Sequence, residues 1–259
     1  MRTLYLDAFS GISGDMFIGA LLDLGIDQDA FINKLSNLNI KGYSIKVNKI
    51  AQSSIYGIDF DVILDHGQKD TGFVEHHHGH HHHHDARHLS EVNKIIDDSN
   101  LSDYVKSNAK QVFMYIATAE AKVHNLPINE VHFHEVGAID SIVDIIGAFL
   151  ALEMLEVDKV IASPLTDGSG FIHVAHGMMP VPVPAVMEMR VNANIPINQN
   201  LSIKTELITP TGMGIVKTIV SEFGSIPGNQ NITKVGYGFG KRKTEQLNAL
   251  RAVLFEKKN

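Results

Sequence analysis

Nine of the fifteen histidines in this chain lie in one stretch: His76, His77, His78, His80, His81, His82, His83, His84 and His88. Neutral imidazole is the commonest protein ligand for borderline transition metals, so this density of interchangeable nitrogen donors points to metal loading. An expression tag would sit at a terminus, whereas this run is internal, broken by Gly79 and flanked by Glu75 and Asp85. The affinity order for nitrogen and oxygen sites favours nickel, copper and zinc over manganese and iron, and does not separate those three. The chain has no cysteine, which weighs against copper(I) and structural zinc.

A second cluster reads His132-Phe-His134-Glu135-Val-Gly137-Ala-Ile-Asp140-Ser-Ile-Val-Asp144. If 131–136 is extended, the two-residue period puts His132 and His134 on one face and Phe133 on the other. If the next segment is helical, Asp140 and Asp144 stack on one side near the positive end of the helix dipole, and Gly137 lets the backbone turn between the two. Two histidines, a glutamate and two aspartates at this spacing suit a mixed nitrogen/oxygen metal site or an acid/base cluster. They equally suit a strand-to-helix joint whose polar groups are satisfied locally, with Asp140 as a cap.

Three glycine-bearing places could handle an anion. Asp7, Ser10, Gly11, Ser13, Gly14 and Asp15 follow a strand and open a helix, so their backbone N–H groups could cradle a phosphate or carboxylate. The spacing matches neither a Walker loop nor a dinucleotide fingerprint, and the two aspartates would repel a bare anion. A metal-bridged ligand and a purely structural turn both fit. Thr209-Pro210-Thr211-Gly212 reads as a capped helix start with proline in first position. Gly236-Tyr-Gly238-Phe-Gly240 leads into Lys241, Arg242 and Lys243, either a phosphate contact or a solvated basic turn. His173 and His176 precede a proline-rich stretch to Pro184 that reads as a rigid extended wall.

These residues need elements to position them. At 259 residues, 44% hydrophobic and 20% charged, the chain has the make-up of a globular protein with a sizeable core. The net charge of −7, from 22 basic and 29 acidic residues, argues against a nucleic-acid or anionic-membrane surface. No signal-peptide core and no apolar run of membrane-spanning length is present, which points to the cytoplasm. The patterning predicts a single mixed strand-helix α/β domain over 1–259. Strands are expected at Thr3 to Asp7, Tyr43 to Ile50, Ile55 to Leu64, Lys159 to Ser163 and Leu247 to Phe255. Helices are expected at Asp15 to Leu24, Ala30 to Leu38, Ser90 to Ile96, Asp103 to His124 and Ala138 to Leu155, with others starting near Pro184 and Pro210. The helix ending at His124 should bury Val105, Val112, Ile116, Ala119 and Val123. A long His-rich loop over 65–88 is too poor in apolar residues to offset its ordering entropy, and is expected to be disordered without metal.

Five motifs, DAFSGISGDM (7–16), HFHEVGAIDSIVD (132–144), HGMMPVPVP (176–184), ELITPTG (206–212) and GYGFGKRK (236–243), together resemble the nickel insertion proteins of the lactate racemase system, the LarC family. The resemblance spans almost the whole chain. It implies a metallochaperone-like chelatase that inserts Ni(II) into pyridinium-3,5-bisthiocarboxylic acid mononucleotide, with CTP and a divalent metal used by the full-length family. Lactate racemase pathway proteins would be partners, and a homo-oligomer is expected. The histidine tract would load nickel, with His132, His134 and Glu135 as candidates for a better-defined nickel-handling site. The substrate ring must lose a proton, for which His134, Glu135 or His176 could serve as base. Family members continue into a C-terminal nucleotide-handling domain, and this chain looks like the N-terminal part. The competing expectation is a nickel storage or buffering protein without insertion activity; a metal-dependent hydrolase is a further alternative that no motif supports.

Overall fold

The computed structural model describes residues 2–65, 87–133, 136, 138–174, 176–228 and 230–256. In chain order these form β1 (Arg2–Asp7), α1 (Gly14–Asp23), α2 (Gln28–Leu35), β2 (Tyr43–Gln52), β3 (Ile55–Leu64), β4 (Arg87–His88), α3 (Leu89–Asp97), α4 (Asp103–His124) and β5 (His132–Phe133). They continue as α5 (Ile139–Met154), β6 (Lys159–Ala162), β7 (Leu165–Asp167), β8 (Phe171–Val174), β9 (Gly177–Pro180), α6 (Pro184–Arg190), β10 (Ile197–Gln199), α7 (Pro210–Ile219), β11 (Val220–Phe223), β12 (Ile232–Phe239) and β13 (Ala249–Glu256). The mixed α/β class is as expected. The His-rich stretch from 66 to 86, including His76 to His84, lies outside the described residues.

Among the described residues, seven strands form a mixed sheet in the order β11-β6-β1-β13-β12-β3-β2. The first three run parallel, β13 is antiparallel to both β1 and β12, β12 and β3 are parallel, and β3 closes a hairpin with β2. Alternation along the strands sends Leu4, Leu6, Val160, Ala162, Leu250, Ala252 and Leu254 into the apolar cluster shared with α1 and α5. Tyr5, Ile161, Val253 and Phe255 gather in a second, smaller cluster, where the Tyr5 hydroxyl donates to the Gly224 carbonyl at 3.1 Å. That bond ties the β11–β12 connection to the sheet.

Helix α1 lies directly on β12 because β12 carries glycines there. A Cβ at Gly238 would fall 1.9 Å from the Met16 carbonyl oxygen, and one at Gly236 would fall 2.5 Å from that of Ala20. The glycines read as part of an anion-contacting turn are therefore sheet residues that admit a helix backbone at close range. Helix α5 is buried from Ile142 to Leu152, apolar there except for Asp144, and packs among α1, α2, α4 and α7.

Two local terminations position the histidines. Helix α4 begins at the Ser102 cap and ends in a Schellman motif: Asn125 is left-handed at φ 53°, and the Leu126 N–H donates to the Ala121 carbonyl at 2.9 Å. The chain then turns and enters β5. Val105, Val112, Ile116 and Ala119 are buried as expected, but Val123 is 40% exposed because the last turn of the helix runs past the edge of the core. The extended segment expected over 131–136 is described as strand only at His132–Phe133, which pairs with Arg87–His88. His173 and His176 lie on the β8–β9 hairpin, with His173 opposite Met178 and Gly177 at φ 95°, and the stretch that follows them is extended in β9.

Candidate functional site

The β4–β5 pair sets His88 directly opposite His132, with ring centroids 4.0 Å apart and planes at 46°. The next residue on β5, Phe133, points into the core beside Phe113, as the two-residue period requires. The His88 backbone N–H donates to the Glu91 carboxylate at 2.7 Å, fixing the entry to α3. The His88 Nδ1 is buried and has no hydrogen-bond partner among the described residues. An orphaned buried imidazole nitrogen costs free energy unless something else satisfies it.

A second imidazole pair lies alongside. His124, at the end of α4, sits with its ring centroid 4.6 Å from that of His176, the planes tilted at 45°. The His124 Nε2 lies 3.1 Å from the Glu120 carboxylate one turn earlier on the same helix. His124, Leu126, Val131, His132 and His176 together line a cleft of about 220 Å³. The cleft thus joins β5, the end of α4 and the β8–β9 turn. Of the residues expected from the sequence, His132 and His176 line this cleft, and His88 reaches it only through its ring contact with His132. His173 faces Met178 elsewhere on the hairpin, and His134 and Glu135 lie outside the described residues. Among the described residues, no three His, Asp or Glu side chains converge as a ready metal cage.

The Asp7–Asp15 segment is committed to other contacts. Asp7 accepts from Arg251, whose Nε is at 3.0 Å, and Asp15 accepts from the Met16 N–H at 3.0 Å and from the Ser13 hydroxyl. Ser10 is buried, with its hydroxyl 3.5 Å from Asn248. The Gly11 N–H donates to Ala8 at 3.2 Å and the Ile12 N–H to Leu207 at 2.9 Å, while Thr209 N–H returns a bond to Ile12. A side chain at Gly11, itself at φ 79°, would collide with the Leu207 carbonyl at 2.1 Å. The Gly11 and Ile12 amides engaged in this way are not offered to a phosphate. Lys241 is likewise paired with Asp59 and Asp61, and Arg242 approaches Glu206 at 3.5 Å.

Asp167, at the end of β7, holds the other side of that seam. One of its oxygens accepts from the Gly168 and Leu207 N–H groups at 2.8 Å and from Ile208 at 3.2 Å. Its second oxygen is buried without a partner among the described residues. Burial pushes the carboxyl up to about 6, and the three backbone donors offset only part of that. Gly14 packs so closely on α5 that a Cβ there would lie 2.6 Å from that of Asp144. The stretch from His132 to Asp144 therefore runs from the imidazole cleft at one end to the Gly14 turn at the other.

Sequence reasoning overlooked His124, Glu120, Asp167 and Arg251. For the first two a signal existed: glutamate and histidine four apart in the last turn of a helix, where a cation is favoured. Asp167 and Arg251 matter through contacts some forty and more than two hundred residues away, which no local pattern announces.

Among the described residues, no helix is long and apolar enough to cross a membrane. The chain matches the nickel insertion protein family over residues 4–259. It is 64% identical to the pyridinium-3,5-bisthiocarboxylic acid mononucleotide nickel insertion protein of Lactiplantibacillus plantarum, over 100% of this chain and 62% of that protein. Proteins of the same description from Acetivibrio thermocellus and Geobacillus kaustophilus are 52% and 43% identical, over 98% and 99% of this chain and 60% of each of them. The chain thus spans about three fifths of the length of the curated relatives it matches. No solved structure matches it.

Proposed function

This chain belongs to the nickel insertion protein family, and on that premise we propose that it captures Ni(II) and delivers it into pyridinium-3,5-bisthiocarboxylic acid mononucleotide, yielding the nickel-pincer nucleotide used by lactate racemase. The substrate is the one that the relatives' descriptions name. The observation that carries this reading is that His132 and His176 line one cleft while His88, four residues after the histidine tract, stacks on His132.

In this reading the tract from His76 to His84 collects nickel on labile imidazoles and passes it to His132, with His134 beside it in sequence. The two thiocarboxylate sulfurs and a ring carbon of the substrate then take the ion, being softer donors than imidazole. The nickel–carbon bond forms as the ring C–H proton leaves, and His134, Glu135 or His176 accepts that proton. CTP with a divalent metal is consumed by the part of the relatives beyond the matched segment, supplied as a further domain or a second chain. The setting is the cytoplasm, and the chain acts as a homo-oligomer.

The test is to mix the nickel-loaded chain with the mononucleotide and CTP, with and without the remaining portion of the Lactiplantibacillus plantarum relative. Nickel binding by the chain alone, with insertion and CTP consumption appearing only on addition of that portion, is the expected result. Robust CTP turnover by the chain alone contradicts the division of labour. Nickel binding with no transfer under either condition favours the storage protein, which the wealth of tract imidazoles also fits.

A further inference from the structure

We propose that His124 and His176 form a two-imidazole exchange station for Ni(II), oriented by Glu120, through which the ion passes between the histidine tract and its acceptor. The inference rests on the nickel-delivery reading for the direction of transfer, but the site is argued from geometry alone.

The ring separation is the first observation. Two imidazoles that bind one ion through nitrogens about 2.1 Å away, at a right angle to each other, have centroids about 4.5 Å apart. His124 and His176 stand at 4.6 Å, on the wall of a cleft that also receives His132. The second observation is Glu120. Its carboxylate, 3.1 Å from His124 Nε2, accepts a hydrogen bond from the ring N–H there, an arrangement that leaves Nδ1 as the nitrogen with a lone pair for metal. Metal-binding histidines characteristically use their second nitrogen in this way, which fixes the ring and raises its basicity. A stabilising role alone explains little, since a glutamate–histidine pair one turn apart on a helix contributes only about a few tenths of a kcal/mol. His124 also closes α4, where the carbonyl end of the helix favours a cation.

The third observation is what the site does not contain. Closed sites of four protein ligands retain a metal, whereas open ones leave positions for exchange. Among the described residues no group of three His, Asp or Glu side chains forms a cage around these two imidazoles. His84 precedes His88 by four residues, a span of at most about 14 Å of chain. His88 stacks on His132, which lines the same cleft. Nickel stays divalent throughout, each imidazole recovering its lone pair as the next donor binds. Assigning His176 as a ligand leaves His134 or Glu135 as the base for the substrate proton.

The experiment uses the full chain with the eight tract histidines from 76 to 84 replaced by glutamine, titrated with nickel sulfate alone. Affinity is read by calorimetry and the number of imidazoles per nickel by X-ray absorption. The parent should show one tight site with at least two imidazoles. His124→Ala and His176→Ala should each weaken it by about tenfold or more and remove one imidazole, and Glu120→Gln should weaken it within the roughly 10- to 100-fold range of outer-shell losses while keeping the imidazole count. Metal-free thermal denaturation of His176→Ala, a turn residue, should match the parent. Unchanged affinity in both histidine variants, or losses in metal-free stability that account for the whole effect, overturn the proposal. A station that passes these tests in a chain that never transfers nickel to the mononucleotide sinks the delivery reading and leaves the station standing.

Discussion

His132 faces His88 across the β4–β5 pair at 4.0 Å between ring centroids, while the next residue on the same strand, Phe133, is 2% exposed in the core. Adjacent positions on one short strand thus face the cleft and the core. In a chain whose tract histidines are replaced, His132→Ala should lower nickel affinity by about tenfold or more and change stability by no more than about 0.5 kcal/mol. Phe133→Ala should do the reverse, destabilising by about 3–5 kcal/mol through the cavity beside Phe113. Nickel titration and urea denaturation of the two variants make the comparison; equal losses of both properties in His132→Ala would return that residue to a structural role.

The same contrast shows how far the fold and the site can be read without coordinates. Helix α4 was legible to the residue, because Ser102, the apolar spacing and the final basic turn all agree. The Thr209 cap with Pro210 in first helical position was equally plain. Strand β12 was not, because its glycines imitate a turn in sequence and serve instead to admit α1, a reason that exists only in three dimensions. Half of the imidazole cleft was visible as His-x-His spacing and as the run at His88. The other half, His124 against His176, joins residues 52 positions apart and depends on where a Schellman motif happens to aim the chain.

Gly238 offers a direct test of that packing. A Cβ there would meet the Met16 carbonyl at 1.9 Å and the Ala20 nitrogen at 2.4 Å, both main-chain atoms of a helix that cannot yield locally. Gly238→Ala should cost at least about 3 kcal/mol, the upper end of overpacking penalties. Gly224→Ala, with nothing within 4 Å of the added carbon, should stay within about 0.5 kcal/mol of the native chain. Urea midpoints of the two variants decide it, and a mild Gly238→Ala would mean that α1 is free to lift from the sheet.

Asp167 should make stability fall as pH rises through the mildly acidic range. Its carboxyl sits at about 6 in the folded chain against an ordinary 3.8, because burial disfavours the charge. Below about pH 4 both folded and unfolded chains hold the proton. Between about 4 and 6 the unfolded chain gives it up first, so stability declines, and above about 6 the loss is complete at about 3 kcal/mol. Asp167→Asn cannot ionise, and should gain on the native chain by up to that amount between pH 4 and 7. Parallel stability-versus-pH curves for the two proteins would rule the effect out.

Removing residues 75–85 separates a reservoir from a delivery protein. The segment carries eight histidines, and its deletion leaves His88, His124, His132 and His176 in the chain. The interchangeable tract imidazoles should supply many weak sites, whereas the cleft, with rings held by β5, by α4 and by the β8–β9 turn, is preorganised and should bind more tightly than its ligand number alone would give. Calorimetric titration of the deleted chain should therefore lose most of the stoichiometry and keep one tight site. If all nickel binding disappears with the tract, the cleft histidines are a packing feature, and the chain's role is to hold the metal rather than to place it.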